Sequence, residues 1–187
     1  MDQKLNNQAH PDRYHHIEAV IRMSQIKRWH MVDTSRQQTL AEHSCNVALL
    51  AVSIAVTAPH MYFGEAASVI GPALTHDLGE AFTGDIPTPT KRADPKIREI
   101  IDKMEFKHTP KEFMYVCDQK VAWLIKLCDL ADGIRFIRRY GHGDAIAKHA
   151  QNGLEGQIEE LFAAVGVPVV VKEHVRHQLR YYIYEMS

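Results

Sequence analysis

The chain has 187 residues, 45% hydrophobic and 24% charged, with a formal net charge of −1. That length suits a single domain, spanning residues 1–187, with a sizeable core. The near-neutral balance excludes the domain-wide basic field that holds a nucleic-acid backbone, so no nucleic-acid partner is expected, although a local cluster of cations can still bind a small polyanion.

The amino-terminal stretch MDQKLNNQAHPDRYHH lacks an apolar leader, and the most apolar run, VALLAVSIAVTA, is too short to cross a bilayer comfortably. Both point to a cytoplasmic protein with no membrane partner. Cys45, Cys117 and Cys128 show no CxxC spacing and read as reduced, buried thiols.

Almost every periodic segment has the helical period. A first helix is predicted from about Tyr14 to Ile26, with Ile17, Val20, Ile21 and Ser24 on one face. A second starts at TLAEH, where Thr39 and Glu42 have the spacing of a capping box. His43, Val47, Leu50 and Ile54 follow along its buried face. A third, from Glu65 to Ala81, carries Val69, Ala73 and His76 in one stripe, then Asp77 and Glu80, and the prolines of IPTP end it. Further helices are predicted over Pro95–Lys107, Lys111–Tyr140, Asp144–Val165 and Pro168–Glu185. No stretch alternates as a strand does. The fold class is therefore all-α.

Four ionisable residues face inward on these helices: His43, His76, Asp77 and Asp129. Each alone also reads as a hydrogen-bonded core or capping side chain. Together, two imidazoles and two carboxylates suit a divalent metal such as Zn²⁺, Mn²⁺ or Co²⁺. Asp129 lies in the apolar run IKLCDLAD, where a bare carboxylate is costly without a counter-charge. Asp132, three residues on, reads as a partner of a ligand, a ligand of a second ion, or the true ligand in place of Asp129. Glu80 lies one turn beyond His76 on the same side, suited to orienting or deprotonating a water.

The pattern H…HD…D, with Arg28-Trp29 ahead of Glu42-His43-Ser44, then HDLGEAFTGDIPTPTK and KLCD, resembles the HD-domain metal-dependent phosphohydrolases. Within them it is similar to the branch of bacterial 5′-deoxynucleotidases and short phage dATP triphosphohydrolases, over about residues 14 to 140. The compact spacing from Glu80 to Asp129 is more like the phage enzymes. The resemblance implies a compact helical HD-domain fold, a divalent metal on His43, His76, Asp77 and Asp129, and Mg²⁺ as the candidate second ion. It implies hydrolysis of dATP to deoxyadenosine and triphosphate, with cleavage of deoxynucleoside monophosphates as the alternative. Glu80 and Asp85 would then handle the water and leaving group, and Arg28, Lys91 and Lys126 the phosphate oxygens. Trp29, Met31 and Pro89 would shape the base slot, with Met31 standing where the phage relatives are expected to carry a branched aliphatic residue. A homo-oligomer, dimer or hexamer, is expected, in the host cytoplasm for a phage-encoded chain. The segment YYIYEM reads as either core or interface.

Overall fold

Small and aliphatic residues at helical spacing build the scaffold of this protein, seen in a computed structural model that describes residues 15–109, 117–163 and 166–185. In chain order the helices are α1 (His15–Met23), α2 (Leu40–Thr57), α3 (Ala66–Thr75), α4 (Glu80–Thr83), α5 (Thr88–Ala93), α6 (Pro95–His108), α7 (Gln119–Tyr140), α8 (Ala145–Ala163) and α9 (Val169–Tyr184). The described residues form no strand, only isolated bridges at Lys27–Thr39 and Thr34–Gly141. The all-α expectation holds.

Helices α2 and α7 pack against each other, α3 covers α2, and α8 and α9 cover α7. Ala48, Ala51 and Ala55 of α2, with Ala131 of α7, keep the shared core slim, while Val47, Ile54, Leu124, Leu127 and Ile134 fill it. Full burial of each such aliphatic contributes roughly 1.5–3 kcal/mol. The apolar run of α2 is thus core on one side, though Leu49 and Val56 face outward.

Short polar side chains fix where the helices begin, by taking up amides that have no intrahelical partner. Thr39 Oγ1 accepts the Glu42 N–H at 3.0 Å, Asp118 accepts from Lys120 and Asp144 from Ala147. The capping box is only half made. The Glu42 carboxylate turns instead to Arg36, at 2.9 and 2.5 Å.

Four expectations need correction. The predicted third helix stops at Thr75, and residues 76–79 form turns in which Leu78, Glu80, Ala81 and Phe82 donate to the carbonyl three residues back. The chain tightens where α6 crosses it: a Cβ on Gly79 would lie 2.7 Å from the Glu105 carbonyl oxygen. In α1 the large aliphatics Ile17, Val20 and Ile21 are 47–56% exposed, while Ala19 and Met23 are buried in a small cluster with Leu40, Leu78 and Ala81. Only the slim Ala19 edge of α1 fits that close to α4. Cys45 is exposed rather than buried, and Cys117 is half-buried, leaving Cys128 as the buried thiol. The long helix starts at Gln119, and the predicted first turns over 111–116, like Tyr14 and residues 164–165, lie outside the described residues. In YYIYEM, Ile183 is core, Tyr181 and Tyr184 are exposed, and Met186 lies outside the description.

The contact at Gly79 is testable. Gly79→Ala forces a methyl onto backbone rather than onto a flexible side chain, and should destabilise by about 1–3 kcal/mol. Thermal denaturation should show the midpoint falling by about 2–4 °C per kcal/mol; an unchanged midpoint would show that α6 yields freely.

Candidate metal centre

His43 from α2, His76 and Asp77 from the turn after α3, and Asp129 from α7 each offer an atom, and these atoms all lie within 4.8 Å of one another. His43 Nε2 is 3.1 Å from Asp129 Oδ1 and 3.6 Å from Asp77 Oδ2, and His76 Nε2 is 3.2 Å from Asp77 Oδ2. The opposite ring nitrogens are already engaged. His76 Nδ1 lies 2.8 Å from the Ala73 carbonyl oxygen and His43 Nδ1 lies 2.7 Å from Asp132 Oδ2. Both partners are acceptors, so each Nδ1 carries the proton and each Nε2 presents a lone pair.

Two lone pairs therefore point toward two carboxylates, and both Nε2 atoms are buried without a hydrogen-bond partner. Such a cluster is stable only around a positive charge. The donor set, two imidazole nitrogens and two carboxylates, fits Zn²⁺ or a similar ion. Without a metal the cluster draws in a proton instead: burial alone would keep His76 neutral, but the Asp77 carboxylate overrides it and pushes the imidazole up to about 9. Asp129 stays well below the ordinary carboxylate range; burial opposes this, and Lys126 and His43 outweigh it.

Asp132 is not in the ring of ligands. Its Oδ2 accepts from His43 Nδ1 and Gln38 Nε2, both at 2.7 Å, and its Oδ1 from Asn46 at 3.0 Å and the Tyr182 hydroxyl at 2.8 Å. Burial pushes this carboxyl up, but the hydrogen bonds from His43, Tyr182 and Gln38 hold it below its usual value. Of the three readings open for Asp132, the geometry selects the partner of a ligand, fixing the tautomer and direction of His43.

Around the centre, Arg28 Nη1 lies 3.3 Å from Asp77 and Nη2 lies 3.9 Å from Asp129. Lys126 reaches Asp129 Oδ2 at 2.5 Å, with its side chain half exposed. Glu80 is 7% exposed. Its Oε1 accepts from Lys91 at 2.8 Å, while its Oε2 is buried with no partner. Burial, and then the Asp77 carboxylate, push Glu80 up to about 8 against the pull of Lys91. Lys91 sits in α5, between Glu80 and Glu105 at 2.8 and 3.0 Å. Asp85 accepts from His30 Nε2 through its backbone carbonyl at 3.1 Å.

Trp29 has a φ of 69°, a left-handed conformation costly for a bulky residue. Its indole stacks at 7° on Phe136 and donates from Nε1 to Gln38 at 3.0 Å. Gly133 makes room for it, since a Cβ there would lie 3.3 Å from the indole. Met31 and Pro89 are exposed, one in the loop beyond Trp29 and the other on α5. Glu105, Gln38, Asn46 and Tyr182 carry no local sequence signal, because their partners lie far along the chain.

A helical fold that converges His, His-Asp and Asp on one partly buried point defines the class of HD-domain metal-dependent phosphohydrolases. Within that class, the chain belongs to the YfbR-like family: the family described as "5′-deoxynucleotidase YfbR-like" matches residues 15–122. The chain is 32% identical over 162 residues to the dATP triphosphohydrolase of Cyanophage S-2L, covering 84% of this chain and 89% of the phage protein. It is 36% identical over 93 residues to the 5′-deoxynucleotidase PM0747 of Pasteurella multocida, 49% of this chain, and so spans about half, 48%, of that relative. The solved structure of the Cyanophage S-2L HD phosphohydrolase DatZ, bound to dA and one catalytic Zn²⁺ ion, superposes with a TM-score of 0.75 at 29% identity, over 90% of this chain and 96% of the phage chain.

The geometry separates ligand from partner by experiment. Alanine at His43, His76, Asp77 or Asp129 should abolish stoichiometric metal retention through gel filtration. Asp132→Ala should bind metal about 10- to 100-fold more weakly. If Asp129→Ala keeps its metal while Asp132→Ala loses it, the assignment on α7 is reversed.

Proposed function

We propose that the chain is a metal-dependent dATP triphosphohydrolase, acting as a single domain over residues 1–187. Water attacks the α-phosphorus, and deoxyadenosine and triphosphate leave. The observation that carries this reading is the near full-length likeness to the cyanophage dATP triphosphohydrolase, 84% of this chain and 89% of that one. The likeness to the Pasteurella 5′-deoxynucleotidase covers 49% of this chain.

When bound at His43, His76, Asp77 and Asp129, the metal supplies Lewis acidity for a phosphoryl oxygen and for the attacking water. Glu80 Oε2, buried and unpartnered, takes the proton of that water, while Lys91 fixes Oε1 and so aims the carboxylate. Lys91 was expected on the phosphate tail; held by Glu80 and Glu105, its first role in this reading is to orient the base. Arg28 and Lys126, each beside a ligand carboxylate, take the phosphate oxygens through charge-assisted hydrogen bonds. Asp85, near the Pro-rich turn, assists at the leaving group. Trp29, Met31 and Pro89 shape the slot for the adenine base.

The alternative is a 5′-deoxynucleotidase with the same ligands, favoured by the family match over residues 15–122. Incubation with dATP and with dAMP under Zn²⁺, Mn²⁺ or Co²⁺, with products resolved by ion-exchange chromatography, decides between them. Deoxyadenosine and intact triphosphate from dATP are expected; faster release of phosphate from dAMP would overturn the reading.

The base assignment has its own check. Glu80→Gln should retain metal and bind nucleotide but turn over at least about a hundredfold more slowly. Wild-type rates in that variant would remove Glu80 from the chemistry.

A further inference from the structure

The base platform and the metal centre are joined by a single buried amide. Gln38 is 1% exposed and bonded at both ends of its side chain. At one end its Oε1 accepts the indole N–H of Trp29 at 3.0 Å, and at the other its Nε2 donates to Asp132 Oδ2 at 2.7 Å. The orientation of this amide is fixed by chemistry. An indole N–H can only donate and an ionised carboxylate can only accept, so a flipped Gln38 would meet a mismatch at both ends. The same Asp132 oxygen receives His43 Nδ1 at 2.7 Å. The backbone adds to the tie, because the Gln38 carbonyl accepts the Arg28 N–H at 2.9 Å, directly before the strained Trp29.

We propose that Gln38 is a positioning residue that couples Trp29 to the metal ligand His43 through Asp132, so that the base platform and the metal centre are set together. The role of Trp29 as base platform rests on the function proposed above; the coupling itself does not. Replacing the amide by an apolar group leaves a buried indole N–H and a carboxylate lone pair unpartnered. It also removes one of the two donors on Asp132 Oδ2, so that the oxygen facing His43 is held less tightly, with Asn46 and Tyr182 left to hold Oδ1. A carboxylate at position 38 keeps the indole bond but sets two negative groups against each other beside the ligand. Removing only the indole N–H lets the Gln38 amide turn, and the disturbance reaches His43 from a residue two side chains away.

Co²⁺ titration, followed by its visible absorption, tests this on the full chain, with helical content checked by circular dichroism. Gln38→Met and Gln38→Glu should bind Co²⁺ about tenfold or more weakly than wild type, the scale of losing a partner behind a metal-bound histidine. Trp29→Phe keeps an aromatic ring and loses the N–H, and should weaken Co²⁺ binding at least about twofold. Combining it with Gln38→Met should give less than the sum of the two losses, because both break one relay. Wild-type Co²⁺ affinity in a folded Trp29→Phe protein, or strictly additive losses, would overturn the coupling. If the Gln38 variants fail to fold, Trp29→Phe alone decides. No nucleotide enters the titration, so a chain that prefers monophosphates to dATP leaves its outcome intact.

Discussion

Two imidazole lone pairs and two carboxylates packed within 4.8 Å repel one another, and the rest of the structure serves to hold them there. Each ring is pinned from behind, His43 by Asp132 and His76 by the Ala73 carbonyl, so neither can turn its nitrogen away. Arg28 and Lys126 offset part of the negative charge at the rim. A dication would supply the remainder, and the four donor atoms already lie together. Helices α2 and α7 must stay in register for this to work, and the two pack against each other within one close-packed core.

One helix carries most of the site. Along α7, Lys126, Asp129, Gly133 and Phe136 succeed one another at spacings of three and four residues, on adjoining parts of one face. They are, in order, the cation paired with Asp129, a carboxylate of the candidate metal cluster, the clearance for an indole and the aromatic behind it. Asp132 sits one step around the helix from Gly133 and turns inward, toward α2 and α9. A rigid helix thus sets the distance from Asp129 to the surfaces that receive the Trp29 indole.

The convergence of His43, His76, Asp77 and Asp129 was legible in the sequence because helical period alone puts His43 and Asp129 on inward faces and the His-Asp pair at the end of a third apolar stripe. Asp132 was ambiguous for the same reason: three residues from Asp129, it shares nearly the same face, and only Gln38, Asn46 and Tyr182 reveal its task. Those partners are between 50 and 94 residues distant, beyond any periodicity. The break after Thr75 escaped because turns with bonds to the third residue back preserve an almost helical spacing of side chains. In α1 the period correctly gave an amphipathic helix. Period says nothing about which face finds a neighbour, and the face with Ala19 found one.

The clamp on Glu80 ends on α6. Glu105 of that helix holds Lys91, Lys91 holds Glu80, and the α6 backbone closes over Gly79. Yet α6 buries little of itself: Ile101 is its buried aliphatic, while Ile97, Ile100, Met104 and Phe106 are 40–69% exposed. Elements with so few buried contacts detach locally at far smaller free-energy cost than the core unfolds. The placement of the Glu80 carboxylate is therefore governed by the docking of a peripheral helix, whereas the His-Asp cluster is governed by the core. The carboxylate and the His-Asp cluster are thereby held by different parts of the molecule, and local opening of α6 can release the first while leaving the second in place.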